Sequence, residues 1–195
     1  MSAQLRPAIV LFFILTIITG VIYPLAVTGI AQVLFPFQAN GSIMAQNGQP
    51  VGSALIGQQF DDPKYFWGRL SDTGTFAYNA YNAQNLTTSS GSNYGPLNPA
   101  LLKAVQARID ALRAADPGNA APIPVDLVTA SGSGLDPDIS PAAALYQAAR
   151  VARVRGFALE GVNRLIARHT SGRQLGLLGD PVVNVVLLNR DLDHQ

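Results

Sequence analysis

The sequence predicts an α+β protein: one N-terminal transmembrane helix followed by a single mixed α/β extracytoplasmic domain. Three observations carry that expectation. Pro7 to Phe35 is apolar and holds no Asp, Glu, Lys or Arg. Two later stretches, 98–116 and 140–169, repeat apolar residues at helical spacing between helix-start and helix-stop residues. Short near-continuous apolar runs at 124–129 and 182–188 have the length of buried strands.

A bilayer core of about 30 Å takes roughly 20 apolar residues in a helix, and Ala8 to Leu34 exceeds that. Arg6 and the amino terminus precede the run; the first acid after it is Asp61 and the first cation Lys64. The positive-inside rule then keeps the N-terminus cytoplasmic and exports the rest, giving a single-pass protein of the inner (plasma) membrane. A cleaved signal peptide is the alternative, but its apolar region is shorter and no Ala-x-Ala site ends this run. Thr16, Thr19, Gly20 and Tyr23 follow i, i+3, i+4, i+7 spacing and share one face. Small and hydroxylated residues there suit contact with other membrane helices; the plainer reading is a lipid-facing anchor. Thr28 and Gln32 form another i, i+4 polar pair. Pro24 removes a backbone donor, and the nearby hydroxyls are expected to cover the freed carbonyl.

The expected division is a cytoplasmic N-terminus and helix at 1–35 and an exported domain at 36–195, with a polar loop at about 71–95. Beyond Arg6 the charges balance, 12 Lys and Arg against 12 Asp and Glu, which gives no reason to expect nucleic acid or an anionic surface as partner. Cysteine is absent, removing disulfides, thiol catalysis and thiolate metal sites. The two histidines, His169 and His194, are far apart in sequence, so a His-based zinc site is not expected.

Taken in order, Gln38 to Ser42 reads as a turn leaving the membrane, and Val51 to Gln58 as a short strand. Phe60, Tyr65, Phe66 and Trp67 read as core rather than docking surface. Ser71 to Gly95 is rich in Asn, Thr, Ser, Tyr and Gly; loops of that length are often ordered by a partner. Asn98 and Pro99 open a helix with Leu101, Val105, Ile109 and Leu112 on one face, stopped by Asp116-Pro117-Gly118. A strand is expected at Pro124–Thr129. Ser140 and Pro141 open the next helix, with an apolar face of Leu145, Ala148, Ala149 and Ala152, a polar face of Tyr146, Arg150 and Arg153 with Gln147 beside it, and Gly156 as its stop. A further helix at 158–169 buries Leu159, Val162, Leu165 and Ile166 and closes at Gly172. Val182 to Leu188 reads as a strand, followed by a polar tail.

Ser131-Gly132-Ser133-Gly134 lies between an expected strand and a helix, the setting of a phosphate cradle. No Lys-Ser/Thr follows, as a P-loop requires, and Asp136 and Asp138 compete with phosphate for the helix N-terminus. The favoured reading is a structural turn, its carboxylates capping the helix or pairing with the basic face. An exported hydrolase would need a nucleophile beside a base, and neither histidine lies in a triad motif. A solute-binding lipoprotein would need a lipobox cysteine.

The chain resembles the C subunit of the bacterial Kdp potassium-transporting ATPase. The resemblance rests on Leu5-Arg6-Pro7, Thr19-Gly20, Tyr23-Pro24, Phe35 to Ser42, Val51-Gly52-Ser53, Leu55 to Gln58, Tyr65-Phe66 with Arg69, and Ser92-Asn93 before Gly95-Pro96. It continues through Val125 to Pro137, Ile139 to Ala144, Gln147, Arg150 to Arg153, Gly179, Pro181, Val183-Asn184-Val185 and Leu188-Asn189. Leu70-Ser71-Asp72 stands where the family usually has Pro-Ser-Ala, and Asp138 where many members have His.

This resemblance implies a non-catalytic subunit beside a channel-like potassium-binding subunit, a P-type ATPase subunit and a small fourth subunit, in contact with membrane lipid. The chain lacks the Asp-Lys-Thr-Gly-Thr phosphorylation motif, so hydrolysis would belong to the partner. No catalytic residue, metal site or covalently bound cofactor is implied here. K+ would be carried by the partner and ATP engaged through the complex. The usual family description is a catalytic chaperone that raises the pump's ATP affinity, associating Ser131, Gly132, Ser133, Gly134 and Gln147 with nucleotide. The orientation argument puts those residues outside the cytoplasm, where a brace or gate over the potassium entrance is the alternative role.

Overall fold

A computed structural model describes residues 2–73 and 89–195; most of the loop expected at 71–95 therefore lies outside the described residues. The chain forms two compact units, Met1–Ser53 and Ala54–Gln195.

In the first unit, helix α1 (Ser2–Ile17) runs through a π-helical segment, Ile18–Ile22, into α2 (Tyr23–Leu34). Gln4–Leu34 spans 31 residues and is long and apolar enough to cross a membrane. The π segment has a local cause. Pro24 has no N–H, and its ring crowds the carbonyl four residues earlier. Widening the preceding turn relieves the clash, and the Tyr23 N–H now donates to the Ile18 carbonyl. The expected cover by hydroxyls is not what forms. Thr16 donates to Phe12 O (2.8 Å) and Thr19 to Leu15 O (2.7 Å), so each bonds back within its own turn.

After the one-turn helix α3 (Pro36–Ala39), the side-chain amides of Gln32 and Asn40 pair reciprocally, at 3.2 and 3.1 Å. Strands β1 (Ile43–Gln46) and β2 (Gln49–Ser53) then make an antiparallel hairpin with Gln46 opposite Gln49. The linking residues Asn47 (φ 52°) and Gly48 (φ 77°) are both left-handed, as a two-residue hairpin turn matched to strand twist requires. The strand expected at 51–58 thus sits at 49–53, and its partner was not anticipated.

In the second unit, α4 (Pro99–Ala115) starts where expected, with Asn98 Oδ1 accepting from the Ala100 N–H at 2.9 Å. Leu112 is buried, while Leu101, Val105 and Ile109 are half-buried. The strand expected at 124–129 is instead a 3-10 turn, Val125–Leu127, followed by a single bridge between Leu70 and Ala130. Asp126 gives the reason: its carboxylate accepts from the Ser140 N–H (2.7 Å) and hydroxyl (3.1 Å), pinning the segment to the start of the next helix. That helix, α5 (Pro141–Arg155), is capped by Ser140 Oγ on the Ala143 N–H at 3.0 Å and ends on left-handed Gly156 (φ 70°).

Helix α5 buries only half of the face its apolar residues suggest, Ala148 and Ala152. Leu145 is 54% exposed and Ala149 is exposed, whereas Ala143, Ala144, Gln147, Ala148, Arg150, Val151 and Ala152 face inward. Helix α6 (Leu159–Arg168) fills the expected span, with His169 rather than Gly172 as its C-cap; it buries Val162, Leu165 and Ile166 but leaves Leu159 exposed. Strand β4 (Thr170–Ser171) follows directly. The run 182–188 divides into β5 (Val182–Asn184) and α7 (Val185–Asp193), because Asn184 Oδ1 caps the new helix on the Leu187 N–H at 3.0 Å. The expected polar tail is therefore mostly helix. With β3 (Asp138–Ile139), the short strands form an antiparallel sheet ordered β3-β5-β4. Phe66, Trp67, Leu127, Ile139, Val151, Val162, Val183 and Leu188 share one buried core, so Phe66 and Trp67 are core as expected.

Candidate functional site

The centre of the second unit is the peptide Pro63–Arg69, which carries buried backbone but joins no sheet before the bridge at Leu70. Buried N–H and C=O groups need partners, and here side chains supply them. Gln147 Oε1 accepts from the Trp67 N–H (2.9 Å) and Gln147 Nε2 donates to the Trp67 carbonyl (3.1 Å). Asn189 does the same for Phe66, at 2.9 Å in each direction. Two side-chain amides, one from α5 and one from α7, thus clamp consecutive peptide groups.

Arginines complete the clamp. Arg108 of α4 donates to Gly68 O (2.7 Å) and Leu127 O (3.0 Å), while Arg155 donates to Lys64 O (2.8 Å) and Leu192 O (3.1 Å). Arg150 donates to Pro63 O and to Gln147 Oε1. The guanidinium carbons of Arg108 and Arg150 lie 4.9 and 5.0 Å from the Trp67 ring centre, and that of Arg155 lies 4.9 Å from the Tyr65 ring. Such stacking on an aromatic face is attractive and stronger when desolvated. Burial pushes the Arg150 guanidinium down to about 10, with Asp116 opposing the shift. It stays charged at neutral pH.

The Ser131–Gly134 turn lies further along the same peptide. The Ser131 N–H donates to Leu70 O (2.9 Å) and the Ser71 hydroxyl to Gly134 O (2.6 Å). The buried Gly134 N–H donates to Ser131 Oγ (2.8 Å), and at the surface the Leu135 N–H donates to Ser133 Oγ (3.1 Å). Ser131 and Gly134 are buried; Gly132 and Ser133 face solvent. Gly134 is left-handed (φ 69°), and a Cβ there would meet the Thr73 side chain and Ser90 O. A Cβ on Gly91 would come within 2.8 Å of Gly132 O. Gly134 and Gly91 are thus explained by conformation and close packing, whereas a Cβ on Gly132 would meet nothing within 4 Å and its φ is not left-handed.

Neither carboxylate caps α5. Asp136 pairs with Arg69 at 3.0 Å and accepts from the Asp138 N–H at 3.0 Å. Burial, then the neighbouring Asp136, raises the Asp138 carboxyl, and its hydrogen bond with Asn184 partly opposes this. Arg153 of the basic face pairs instead with Asp116, at 2.7 Å. His169 Nε2 lies 2.8 Å from Asp191 Oδ2. Among the described residues no group of three His, Cys, Asp or Glu is placed to hold a metal ion.

Gln147 and the serine–glycine turn therefore meet the same peptide from different elements, Gln147 at Trp67 and the turn at Leu70 and Ser71. Gln147 uses both lone pairs and both N–H groups inside the fold. Arg108, Arg155 and Asp126 were not singled out in the sequence, which gives no local signal for partners 14 to 91 residues away. In the membrane helix, Thr16, Thr19, Gly20 and Tyr23 are all exposed on this chain, and a Cβ on Gly20 would meet nothing within 4 Å.

The family model described as "K+-transporting ATPase, c chain" matches residues 5–194. A protein of Polaromonas naphthalenivorans named "Potassium-transporting ATPase KdpC subunit" is 67% identical over 193 residues, covering 99% of this chain and 95% of the relative. Relatives of the same name from Herpetosiphon aurantiacus and Variovorax paradoxus are 64% and 63% identical; each alignment covers 97% of the relative, with 100% and 99% of this chain.

Proposed function

The chain belongs to the family of K+-transporting ATPase c chains, and from that premise we propose that it is a non-catalytic brace in an ATP-driven potassium uptake complex. Its apolar helix anchors it in the inner membrane with the N-terminus cytoplasmic. The second unit stands on the extracytoplasmic side, against the channel-like potassium-binding subunit and over the potassium entrance. Hydrolysis belongs to the P-type ATPase subunit, and a small fourth subunit completes the assembly.

The observation that carries this reading is the saturation of the Gln147 side chain, one of the groups associated with nucleotide. Every polar atom of the Gln147 side chain is engaged with Trp67, Ala143 or Arg150. Of the N–H groups of the serine–glycine turn, those of Ser131 and Gly134 are held inside the fold, by Leu70 O and Ser131 Oγ. A cradle for phosphate needs such donors free. What these residues build is a stiff peptide frame, which suits a brace.

Calorimetric titration of ATP into the full chain in detergent tests it. The expected result is no saturable heat at micromolar ATP. The competing role, a chaperone that raises the ATP affinity of the pump, predicts saturable binding. Binding that weakens in Ser133→Ala, whose side chain faces solvent, would overturn the brace in favour of the chaperone.

A further inference from the structure

Around the π segment two carbonyls lose their α-helical donor: that of Gly20, whose donor would be the proline at 24, and that of Thr19. In an unbroken α-helix the Thr19 carbonyl takes the Tyr23 N–H. Here that N–H donates to Ile18 O. In π register the donor would be residue 24, which is proline and has none. The nearby threonine hydroxyls are committed to Phe12 O and Leu15 O.

The place of this carbonyl makes the vacancy consequential. Thr19 lies midway between Gln4 and Leu34, the ends of the apolar span. At 1.5 Å per residue that is about 22 Å from either end, close to the bilayer midplane. Hydrocarbon offers no donor, and water is scarcest there. A freed carbonyl in a membrane helix is satisfied by a π adjustment, a local hydroxyl, water or a neighbouring helix. The π adjustment creates this vacancy, the hydroxyls are taken and the depth disfavours water. The following residue, Gly20, has no side chain and open space where a Cβ would stand, so another helix can approach the peptide closely.

We propose that the Thr19 carbonyl accepts a hydrogen bond from a hydroxyl or amide side chain on a transmembrane helix of another subunit, delivered across the bare surface of Gly20. The inference rests on the membrane-embedded reading above. It goes beyond a small-residue packing face, because it specifies the acceptor atom and requires a donor on the partner helix.

The test compares the full chain alone in a lipid bilayer with the assembled complex in the same lipid. The chain carries 13C-carbonyl threonine and 15N-glycine, which select Thr-Gly peptides in solid-state NMR. The Thr19 signal is the one lost in Gly20→Ala. The expected result is a downfield move of the Thr19 carbonyl on assembly, as acceptance of a hydrogen bond produces. Partner retention on purification should fall with Gly20→Leu, and also with Pro24→Ala, which restores a donor at position 24 and removes the vacancy. An unchanged carbonyl signal overturns the inference, as does a downfield position already present in the chain alone, where water would be the donor. If Gly20→Leu loosens the complex while the carbonyl signal does not move, the packing face stands and the hydrogen bond falls. If Gly20→Leu also leaves the complex intact, the face itself fails.

Discussion

Gln147 shows how one side chain can replace a strand. Its amide presents to Trp67 what a neighbouring peptide would present in a sheet, and Asn189 does so for Phe66. Gln147→Ala strands the N–H and C=O of Trp67 and one contact of Arg150. At about 1–3 kcal/mol for each buried group left unpaired, the loss should be on the order of 3 kcal/mol, read as a lowered urea midpoint of the full chain in detergent. A change near that of an exposed substitution such as Leu102→Ala would contradict the clamp. Asp138 tests the pH dependence. Its folded-state carboxyl is raised by burial and by Asp136, so the folded chain holds this proton more tightly than the unfolded one. Stability then falls as pH rises from the unfolded value through the raised folded one, and the penalty is fully present above it. Asp138→Asn should raise the melting temperature at pH 7, and the gain should vanish as pH drops below about 4, the ordinary Asp value. A gain that persisted at low pH would point to a cause other than ionisation.

Helix ends are where the sequence speaks most plainly, because a cap is a local event. Asn98-Pro99, Ser140-Pro141 and Gly156 stand where the helices start and stop. Short strands and buried faces are not local. The run 182–188 suits a strand or a helix by hydropathy alone, and the cap donated by Asn184 decides between them partway along. In α5 the apolar pattern points to Leu145, yet tertiary demand turns Gln147 and Arg150 inward, because the peptide at 63–67 needs donors and acceptors. The same distance hides the candidate site: Gln147 and Asn189 are 80 and 123 residues from the groups they hold. Two substitutions separate the expected face from the observed one. Ser140→Ala removes the cap on the Ala143 N–H and the hydroxyl contact with Asp126, and should cost about 1 kcal/mol or somewhat more. Leu145→Ser, at an exposed position, should change stability by under about 0.5 kcal/mol. The opposite ranking in denaturant melts would mean that α5 buries its Leu145 face after all.

At the scale of the whole molecule, the prediction concerns which side of the membrane the second unit occupies. The case for the outside is electrostatic: a cation and the amino terminus before the helix, then no charge until Asp61. Orientation follows Lys and Arg near the ends of the span and depends little on acids, so Arg6 is the main determinant within the chain. Beyond the span the first cation is Lys64, too far from Leu34 to act as a counter-signal. Because the sequence has no cysteine, a single one introduced at Gln195 is a unique reporter. In intact cells expressing the whole complex, Gln195→Cys should react with a membrane-impermeant maleimide, whereas Gln4→Cys should react only after the membrane is opened. Trypsin added to spheroplasts should cut after Arg173, which is half exposed beside the exposed leucines 175, 177 and 178, and Arg173→Gln should remove that cut. Protection of both reporters until lysis would put the second unit in the cytoplasm. It would then share a compartment with ATP, and the orientation argument against the chaperone role would be gone, leaving the saturated amide of Gln147 to oppose nucleotide binding alone.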